Sequence, residues 1–289
     1  MITTKPITTI IQKRYSCRNY ALTSLDDQVI STLAGYIEQL PPGPFGSRSR
    51  FQLAAASGKS RNELRGLHTY GAIKNPPAFI IGASKEGPLT LEDFGYCMEE
   101  IILFATSLGL GTCWLGGTFT RSAFAHRFAA QKNEILPAVV SLGYPAEENL
   151  ALRKVVEQMV IQPNRLAWEA LFFDDHFGQP LSMENSGDYR HALEMVHLAP
   201  SASNKQPWRI LKQDHSWHFY LQRSRGYRQI ALGHVTGIAD MQRIDMGIAM
   251  SHFELAAREA ALAGRWEIRD PMLEKPDALT SYLVTWKAG

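Results

Sequence analysis

The sequence has few cysteines, no long apolar run and no excess of charge of one sign. Its three cysteines, Cys17, Cys97 and Cys113, match neither a disulfide framework nor the ligand spacing of a zinc site. The longest apolar run, residues 101–105, is far shorter than a membrane span of roughly 20 residues. A net charge of +2 provides no global field for nucleic acid or an anionic membrane. We therefore expect a cytoplasmic, reduced protein that needs no metal and binds neither nucleic acid nor membrane.

What is present is the composition of a folded, soluble chain. Its 289 residues are 45% hydrophobic and 20% charged, enough for one large or two modest domains. Apolar periodicity and turn residues predict a mixture of helices and strands, and therefore an α+β fold. The first predicted helix starts near residue 7, and the others cover residues 24–40, 90–108, 122–130, 188–198 and 246–262. The predicted strands cover residues 51–56, 78–83, 138–142, 209–211, 218–221 and 282–286.

The order of these elements repeats once along the chain. Residues 93–98 resemble residues 245–250, and residues 108–114 resemble residues 260–266. The sequence distance between matching positions decreases along the chain, which predicts shorter connections in the second copy. Two α+β segments of similar size could match by chance, but the matches occur in the same order. We therefore predict two tandem copies, residues 1–162 and 163–289, that form a pseudo-dimer within one chain.

Three segments carry residues suited to ligand binding. Residues 14–18 place Arg14, Ser16 and Arg18 at the end of a helix, where they suit an anionic oxygen or form a solvated basic helix end. Residues 109–117 are rich in glycine, which suits a close backbone approach to a ligand or a helix end and turn. Residues 200–208 form a polar, proline-bounded loop that suits a ligand or an ordinary turn.

Together these segments resemble the FMN-dependent nitroreductase family. Its Arg-x-Ser-x-Arg motif is matched by Arg14, Ser16 and Arg18, and its Gly-x-Gly-Thr-Cys-Trp-x-Gly segment by residues 109–116. Its Pro-Ser-x-x-Asn-x-Gln-Pro-Trp loop is matched by residues 200–208, and its Gly-Tyr-Pro turn with basic residues downstream by residues 143–145 with Arg153 and Lys154. The resemblance extends to the family branch in which two copies are fused in one chain.

The motifs are distributed unevenly between the copies. The basic and glycine-rich motifs lie in the first copy, and the Pro-Ser loop lies in the second. The equivalent first-copy loop, residues 40–46, lacks the Ser and Asn, and the second copy has no Arg-x-Ser-x-Arg between residues 174 and 188. The resemblance therefore implies one FMN site per chain, assembled from both copies, in a monomeric protein.

The resemblance also implies roles for the site residues. Ser16, Arg153 and Lys154 would bind the FMN phosphate, with Arg14 near the ribityl chain and Arg18 near the pyrimidine edge. The backbone of Gly116, or of its neighbours Leu115 and Gly117, would reach flavin N5. Pro200, Ser201 and Asn204 would cover the ring. No side chain need act as a catalytic acid or base, since the flavin carries the chemistry.

The implied activity is hydride transfer from NAD(P)H through FMN to a small acceptor such as a nitroaromatic or a quinone. Three alternatives stay open at this point. The first is another flavin reaction on the same fold, such as dehalogenation or flavin fragmentation. The second is FMN storage without turnover. The third is a structural or interaction protein that has lost its ligand, against which the intact motif set argues.

Overall fold

The chain divides into two compact units, each with its own sheet and long helix. The computed structural model of the protein describes residues 5–56, 64–147, 165–227 and 238–289. The units are Met1–Gln162 and Pro163–Gly289. Of the candidate site residues, Arg153 and Lys154 lie outside the described residues.

The first unit is built on an antiparallel sheet. Its helices are α1 (Ile7–Lys13), α2 (Asp27–Glu38), α3 (Thr90–Ser107) and α4 (Arg121–Phe128). Its strands are β1 (Arg50–Ala55), β2 (Ala78–Lys85), β3 (Gly111–Leu115), β4 (Glu134–Ile135) and β5 (Val139–Gly143). The strand order is β1-β2-β5-β3, and the short β4 pairs with the end of β2. The nearly continuous apolar residues of β2 and β5 agree with this position, because central strands are buried on both faces.

Helix α3 lies in the core of the first unit. Its residues are apolar on most sides, a pattern that predicts a buried helix, and every residue from Thr90 to Leu103 is buried. The same helix also buries the carboxylates of Glu92, Asp93, Glu99 and Glu100. Buried carboxylates need charged or hydrogen-bonding partners, and one of these four, Glu99, contacts residues of the candidate site.

The second unit has a sheet with one added parallel strand. Its helices are α5 (Arg190–Leu198) and α6 (Met241–Glu259). Its strands are β6 (Phe172–Asp174), β7 (Trp208–Gln213), β8 (Ser216–Gln222), β9 (Gly264–Glu267) and β10 (Thr280–Ala288), in the order β6-β7-β8-β10-β9. Among the described strand pairs of this sheet, only β6–β7 is parallel. In its core, the ring of Phe253 on α6 lies 5.3 Å from that of Phe219 and 5.9 Å from that of Trp286.

The two sheets follow the same path. Strands β1, β2, β3 and β5 correspond in chain order to β7, β8, β9 and β10. In both sheets the last of the four lies between the second and the third. A long helix joins the second strand to the third in each unit, and a shorter helix precedes the first strand. This agreement confirms the predicted α+β class and the tandem repeat of one topology.

The second copy has shorter connections, as predicted from the decreasing sequence distance between matching positions of the two copies. Helix α4 and strand β4 lie between β3 and β5 in the first unit. The corresponding residues 268–279 are all described and contain neither helix nor strand. The sheet is therefore complete in both copies, and the difference lies outside its four shared strands.

Several local predictions were wrong. Helix α6 begins at Met241 rather than at residue 246, because Asp240 caps it and accepts a hydrogen bond from the backbone N–H of Arg243. Residues 109–117 were predicted to form either a close backbone approach to a ligand or a helix end and turn, and neither interpretation included strand β3 at residues 111–115. Strand β9 has the same place in the second copy and was also missed.

Two kinds of feature are absent from the residues that the structure describes. Among them, no helix is both long enough and apolar enough to cross a bilayer. Among those same residues, no cluster of three His, Cys, Asp or Glu side chains could hold a metal ion.

Candidate functional site

The segment with Arg14, Ser16 and Arg18 runs beside strand β3. Ser16 forms a parallel bridge with Thr112, and the backbone N–H of Cys17 donates to the carbonyl of Thr112 at 2.8 Å. Extended backbone places alternate side chains on opposite faces. Accordingly, Cys17 is fully buried, whereas Ser16 and Arg18 are exposed. The motif thus offers one hydroxyl and one guanidinium to solvent along one line of backbone.

Gly111 makes this close approach possible. A Cβ atom at Gly111 would lie 2.7 Å from Cβ of Cys17 and 2.9 Å from its Sγ, closer than real side chains pack. Gly109 has a different reason to be glycine, because it follows α3 with a φ of 85°. Both glycines are thus explained by folding. They hold the basic segment against β3, and neither is needed to contact a ligand.

Arg14 is the buried member of the motif, with 6% of its surface exposed. Its Nε lies 3.8 Å from Oε1 of Glu99 on α3 and has no hydrogen-bond partner in the described part of the chain. The other oxygen of Glu99 accepts a hydrogen bond of 2.8 Å from the indole N–H of Trp114 on β3. Burial lowers the pKa of Arg14, and the charge of Glu99 acts in the opposite direction. Glu99 therefore joins the basic motif to the glycine-rich motif, a link that the sequence analysis missed.

Cys113 lies among these groups but is not set up as a nucleophile. Burial raises the pKa of its thiol, an effect that the nearby Arg18 and Arg14 oppose. A raised pKa keeps the sulfur protonated at neutral pH, whereas a catalytic cysteine needs a thiolate. Cys17 and Cys113 are buried thiols that pack in the core of the first unit.

The Gly-Tyr-Pro turn also contacts the segment after the basic motif. Tyr20 pairs with Pro145, and the backbone N–H of Ala21 donates to the carbonyl of Tyr144 at 2.8 Å. The phenol of Tyr20 also hydrogen-bonds Ser141 on β5. The first unit therefore brings three of the predicted motifs together, with residues 14–21 as their common neighbour.

The glycine pair Gly116–Gly117 lies at the far end of β3. Leu115 is buried at the end of the strand, Gly116 is half-buried and Gly117 is exposed in the bend that follows. With about 3.3 Å per residue, the four steps from Thr112 to Gly116 separate the basic segment from the start of this bend by about 13 Å. A ligand that contacts both ends must be extended, with an anionic part at one end and an acceptor atom at the other.

Arg121 at the start of α4 holds this bend. Its guanidinium donates hydrogen bonds to the carbonyls of Gly116 at 3.2 Å, Leu136 at 3.2 Å and Pro137 at 3.3 Å. It also lies 4.6 Å above the ring of Phe119. Sequence analysis gave no role to Arg121, and an arginine four residues after a glycine pair is too weak a signal to have found it.

In the second unit, the loop of residues 200–207 is stabilised by its own polar groups. The hydroxyl of Ser201 accepts a hydrogen bond of 2.9 Å from the backbone N–H of Gln206. The amide of Gln206, whose side chain is buried, donates to the carbonyl of Asn204 at 2.9 Å. Asn204 has a φ of 55°, a conformation that asparagine tolerates better than most residues. Ser201 and Gln206 therefore shape the loop, and the Asn204 side chain is exposed.

A buried carboxylate on α6 anchors the same loop. Oδ1 of Asp245 accepts a hydrogen bond of 2.9 Å from the backbone N–H of Ala202. Oδ2 is buried without a hydrogen-bond partner among the described residues. Burial raises the pKa of Asp245 well above its usual range, and the Ala202 N–H acts in the opposite direction. The sequence analysis aligned Asp245 with Asp93 in the repeat but gave it no role.

The chain was compared with protein families and solved structures. A family model described as "Putative TM nitroreductase" matches residues 6–257. No curated protein matches the chain. A solved nitroreductase structure from Thermotoga maritima is 19% identical with a TM-score of 0.61, and the match covers 100% of this chain and 95% of that one. At this identity the likeness shows the fold alone, and it spans both copies within a single chain.

Two further solved structures match about half of the chain. A nitroreductase with bound FMN from Bacteroides fragilis is 21% identical, with a TM-score of 0.39, and the match covers 50% of this chain and 90% of that one. An NADH oxidase from Clostridium acetobutylicum is 23% identical, with a TM-score of 0.36 and coverage of 48% and 88%. Scores this low carry no argument about this chain.

Proposed function

The chain belongs to the family described as putative TM nitroreductases, and from that premise we propose that it is an FMN-dependent oxidoreductase. Family membership supports oxidoreductase activity in general. The finer proposal is hydride transfer from NAD(P)H through FMN to a nitroaromatic, a quinone or a similar small acceptor. The observation that carries it is the pairing of Ser16 with Thr112, which places the basic motif along the strand that ends at the glycine pair.

The residues of the first unit fit FMN. Arg14 has a buried Nε without a hydrogen-bond partner in the described part of the chain, next to the exposed Ser16 and Arg18. Guanidinium and hydroxyl groups are the donors that suit phosphate and other anionic oxygens. The bend that begins at Gly116 lies about 13 Å away along β3, so an elongated ligand with an anionic tail and a flat ring suits this strand.

Each residue of the proposed site then has a role. Ser16 binds the phosphate together with Arg153 and Lys154, and Arg14 lies near the ribityl chain. Arg18 lies at the pyrimidine edge, where its charge stabilises negative charge that develops on the ring. Backbone N–H groups at residues 115–117 bind at N5. When bound, FMN supplies the hydride chemistry; the protein's groups bind it, orient it and supply the electric field.

The second copy completes the site in this proposal. Pro200, Ser201 and Asn204 cover the ring, and Asp245 holds their loop through Ala202. The first-copy loop, residues 40–46, has no Ser or Asn to offer in return. We therefore propose one FMN per chain and a cytoplasmic monomer. Both the stoichiometry and the monomeric state follow from this distribution of motifs.

The experiment that tests the function follows the flavin. Purified protein should show a flavin absorption spectrum at one FMN per chain and should bleach anaerobically on addition of NADH or NADPH. A nitroaromatic or a quinone should then restore the spectrum. A bound flavin that neither nicotinamide reduces would indicate storage, and a protein that takes up no FMN would contradict the proposal.

A further inference from the structure

Arg121 connects three backbone carbonyls around the end of β3. One terminal nitrogen, Nη2, donates to both Gly116 and Pro137, and Nε donates to Leu136. The planar, forked geometry of a guanidinium allows these contacts at once, whereas a lysine presents a single ammonium point. Burial lowers the pKa of Arg121, but an arginine stays charged at neutral pH. These bonds therefore join a cation to the carbonyl of the residue immediately before Gly117.

The bond to Gly116 also determines where the next amide points. The carbonyl of Gly116 and the N–H of Gly117 belong to one peptide plane, and no described peptide bond is cis. In a trans peptide the carbonyl and the N–H point in opposite directions. Because the carbonyl of Gly116 is turned towards Arg121, the N–H of Gly117 is turned away from it. Gly117 is an exposed residue, so the bend itself lies at the surface of the first unit.

We propose that Arg121 is a positioning residue for the flavin site, and that it fixes the Gly116–Gly117 peptide so that the N–H of Gly117 faces flavin N5. This inference rests on the proposed FMN function. It also selects Gly117 from the three backbone donors at residues 115–117. Arg121 itself does not touch the flavin.

A fixed amide matters more for the oxidised flavin than for the reduced one. Oxidised N5 is a hydrogen-bond acceptor, and a donor already held in place binds it without a further reorganisation cost. Reduction by hydride leaves a hydrogen on N5, which then no longer accepts that bond. A bend that rotates freely would offer the same N–H only part of the time. Arg121 should therefore change the ratio between the affinities for reduced and oxidised FMN, in addition to its effect on stability.

The test compares Arg121→Lys and Arg121→Met with Arg127→Met. Arg127 is exposed on the same helix, so its substitution is a control for the loss of one positive charge. FMN affinity is titrated for the oxidised form, and the midpoint potential gives the relative affinity for the reduced form. The Gly117 amide is followed by nitrogen-15 NMR with and without FMN.

The proposal expects both Arg121 variants to bind reduced FMN within about threefold of wild type, because the contacts to the FMN phosphate are unchanged. Relative to reduced FMN, oxidised FMN should bind about tenfold more weakly than in wild type, which raises the potential of this two-electron couple by about 30 mV. The Gly117 amide signal should move on FMN binding in wild type and in Arg127→Met, and should move much less in Arg121→Met. Arg121→Lys keeps the charge and should still raise the potential.

Other results would overturn the proposal. If both Arg121 variants lose stability and keep the wild-type potential, Arg121 only connects β3 to the segment that enters β5. If Arg121→Met fails to fold, the potential of Arg121→Lys decides alone. If wild-type protein binds no FMN, the proposed function fails and this inference fails with it. Normal FMN reduction in wild type together with unchanged potentials in the variants would contradict the role of Arg121 alone.

Discussion

The two copies keep the same scaffold contacts and differ in the residues that a ligand would meet. In the first copy, Asp93 on α3 accepts hydrogen bonds from the backbone N–H groups of Phe45 and Ser47, at 3.0 and 2.8 Å. In the second copy, Asp245 on α6 accepts from the N–H of Ala202. Each carboxylate thus anchors the loop that follows the shorter helix of its copy.

A second contact repeats in the same way. The indole N–H of Trp114 donates to Glu99 at 2.8 Å, and that of Trp266 donates to Glu254 at 2.7 Å. Both tryptophans lie on the strand after the long helix, and both carboxylates lie on that helix. Yet Glu99 lies next to Arg14, whereas Glu254 forms an ion pair with the exposed Arg258. Folding contacts therefore survive in both copies, and only one copy surrounds them with anion-binding groups.

The largest expected effect concerns the loop of the second copy. Replacement of both Ser201 and Asn204 by alanine should weaken FMN binding at the site more than any single substitution, because the chain has only one complete motif set. Two lost hydrogen bonds of about 1–1.5 kcal/mol each weaken binding by about hundredfold. The matched control replaces the exposed Pro41 and Pro42 of the first-copy loop, and it should still bind one FMN per chain. Titration that finds two equivalent sites in wild type would contradict the comparison between the copies.

The next effect concerns the basic motif. Arg18→Ala should weaken FMN binding by about tenfold to hundredfold, since a charge-assisted hydrogen bond contributes about 1.5–3 kcal/mol. It should also lower the flavin potential, because the reduced ring carries more negative charge. The control is Arg265→Ala on β9 of the second copy, where the side chain is 74% exposed and no basic motif is present. FMN affinity equal to wild type in Arg18→Ala would remove Arg18 from the site.

The scaffold was easier to predict from the sequence than the contacts of the site. Strands and long helices were predictable, because a buried strand or helix shows its environment in its own apolar pattern, as in β2 and α3. The start of α6 was not predictable in this way. Its first turn has no regular apolar pattern, so the start could be found only by identifying Asp240 as the cap. Strand β3 was missed because glycines in a short segment indicate a turn. Gly111 is instead a glycine because a side chain there would clash with Cys17, nearly one hundred positions earlier in the chain.

Within the candidate site, the motif residues were identified by resemblance, and their partners were not. Glu99 is a carboxylate in an apolar helix, and its sequence neighbours do not reveal that Arg14 and Trp114 lie beside it. Arg121 contacts carbonyls, which every residue has, so no side-chain pattern marks its partners. Asp245 likewise binds a backbone N–H. Contacts from side chain to backbone leave little signal in a single sequence.

A smaller effect should separate the two loop anchors. Asp245→Ala removes the acceptor for the Ala202 N–H and should destabilise the protein by about 1–3 kcal/mol, with FMN binding weakened several-fold because the flavin loop is released. Asp93→Ala removes the acceptor for two N–H groups and should destabilise the protein by a similar amount while FMN affinity is kept. Urea unfolding and FMN titration of the two variants provide both readings. An equal loss of FMN affinity in both would show that the loops are not distinct in function.

The smallest effect is a change in stability at pH 7 that has opposite signs in the two amide variants. Burial raises the pKa of Asp245, so the folded state holds its proton more tightly than the unfolded state does. The resulting stability is fully present below the unfolded pKa of about 3.9 and is lost as pH rises towards the folded pKa. Asp245→Asn is neutral at every pH and retains an oxygen for the Ala202 N–H. Its stability relative to wild type should therefore increase from pH 4 upwards, by about 1.4 kcal/mol for each unit of pKa shift.

Asp93→Asn is the matched variant at the equivalent loop anchor of the first copy. Burial also raises the pKa of Asp93, against the N–H groups of Phe45 and Ser47 that bind its two oxygens. An asparagine has one oxygen for these two donors and would turn its own NH₂ towards the other, so Asp93→Asn should be less stable than wild type at pH 7. Urea unfolding between pH 4 and pH 8 compares both variants with wild type. If Asp245→Asn is also destabilised at pH 7, the carboxyl of Asp245 is ionised in the folded protein and the prediction fails.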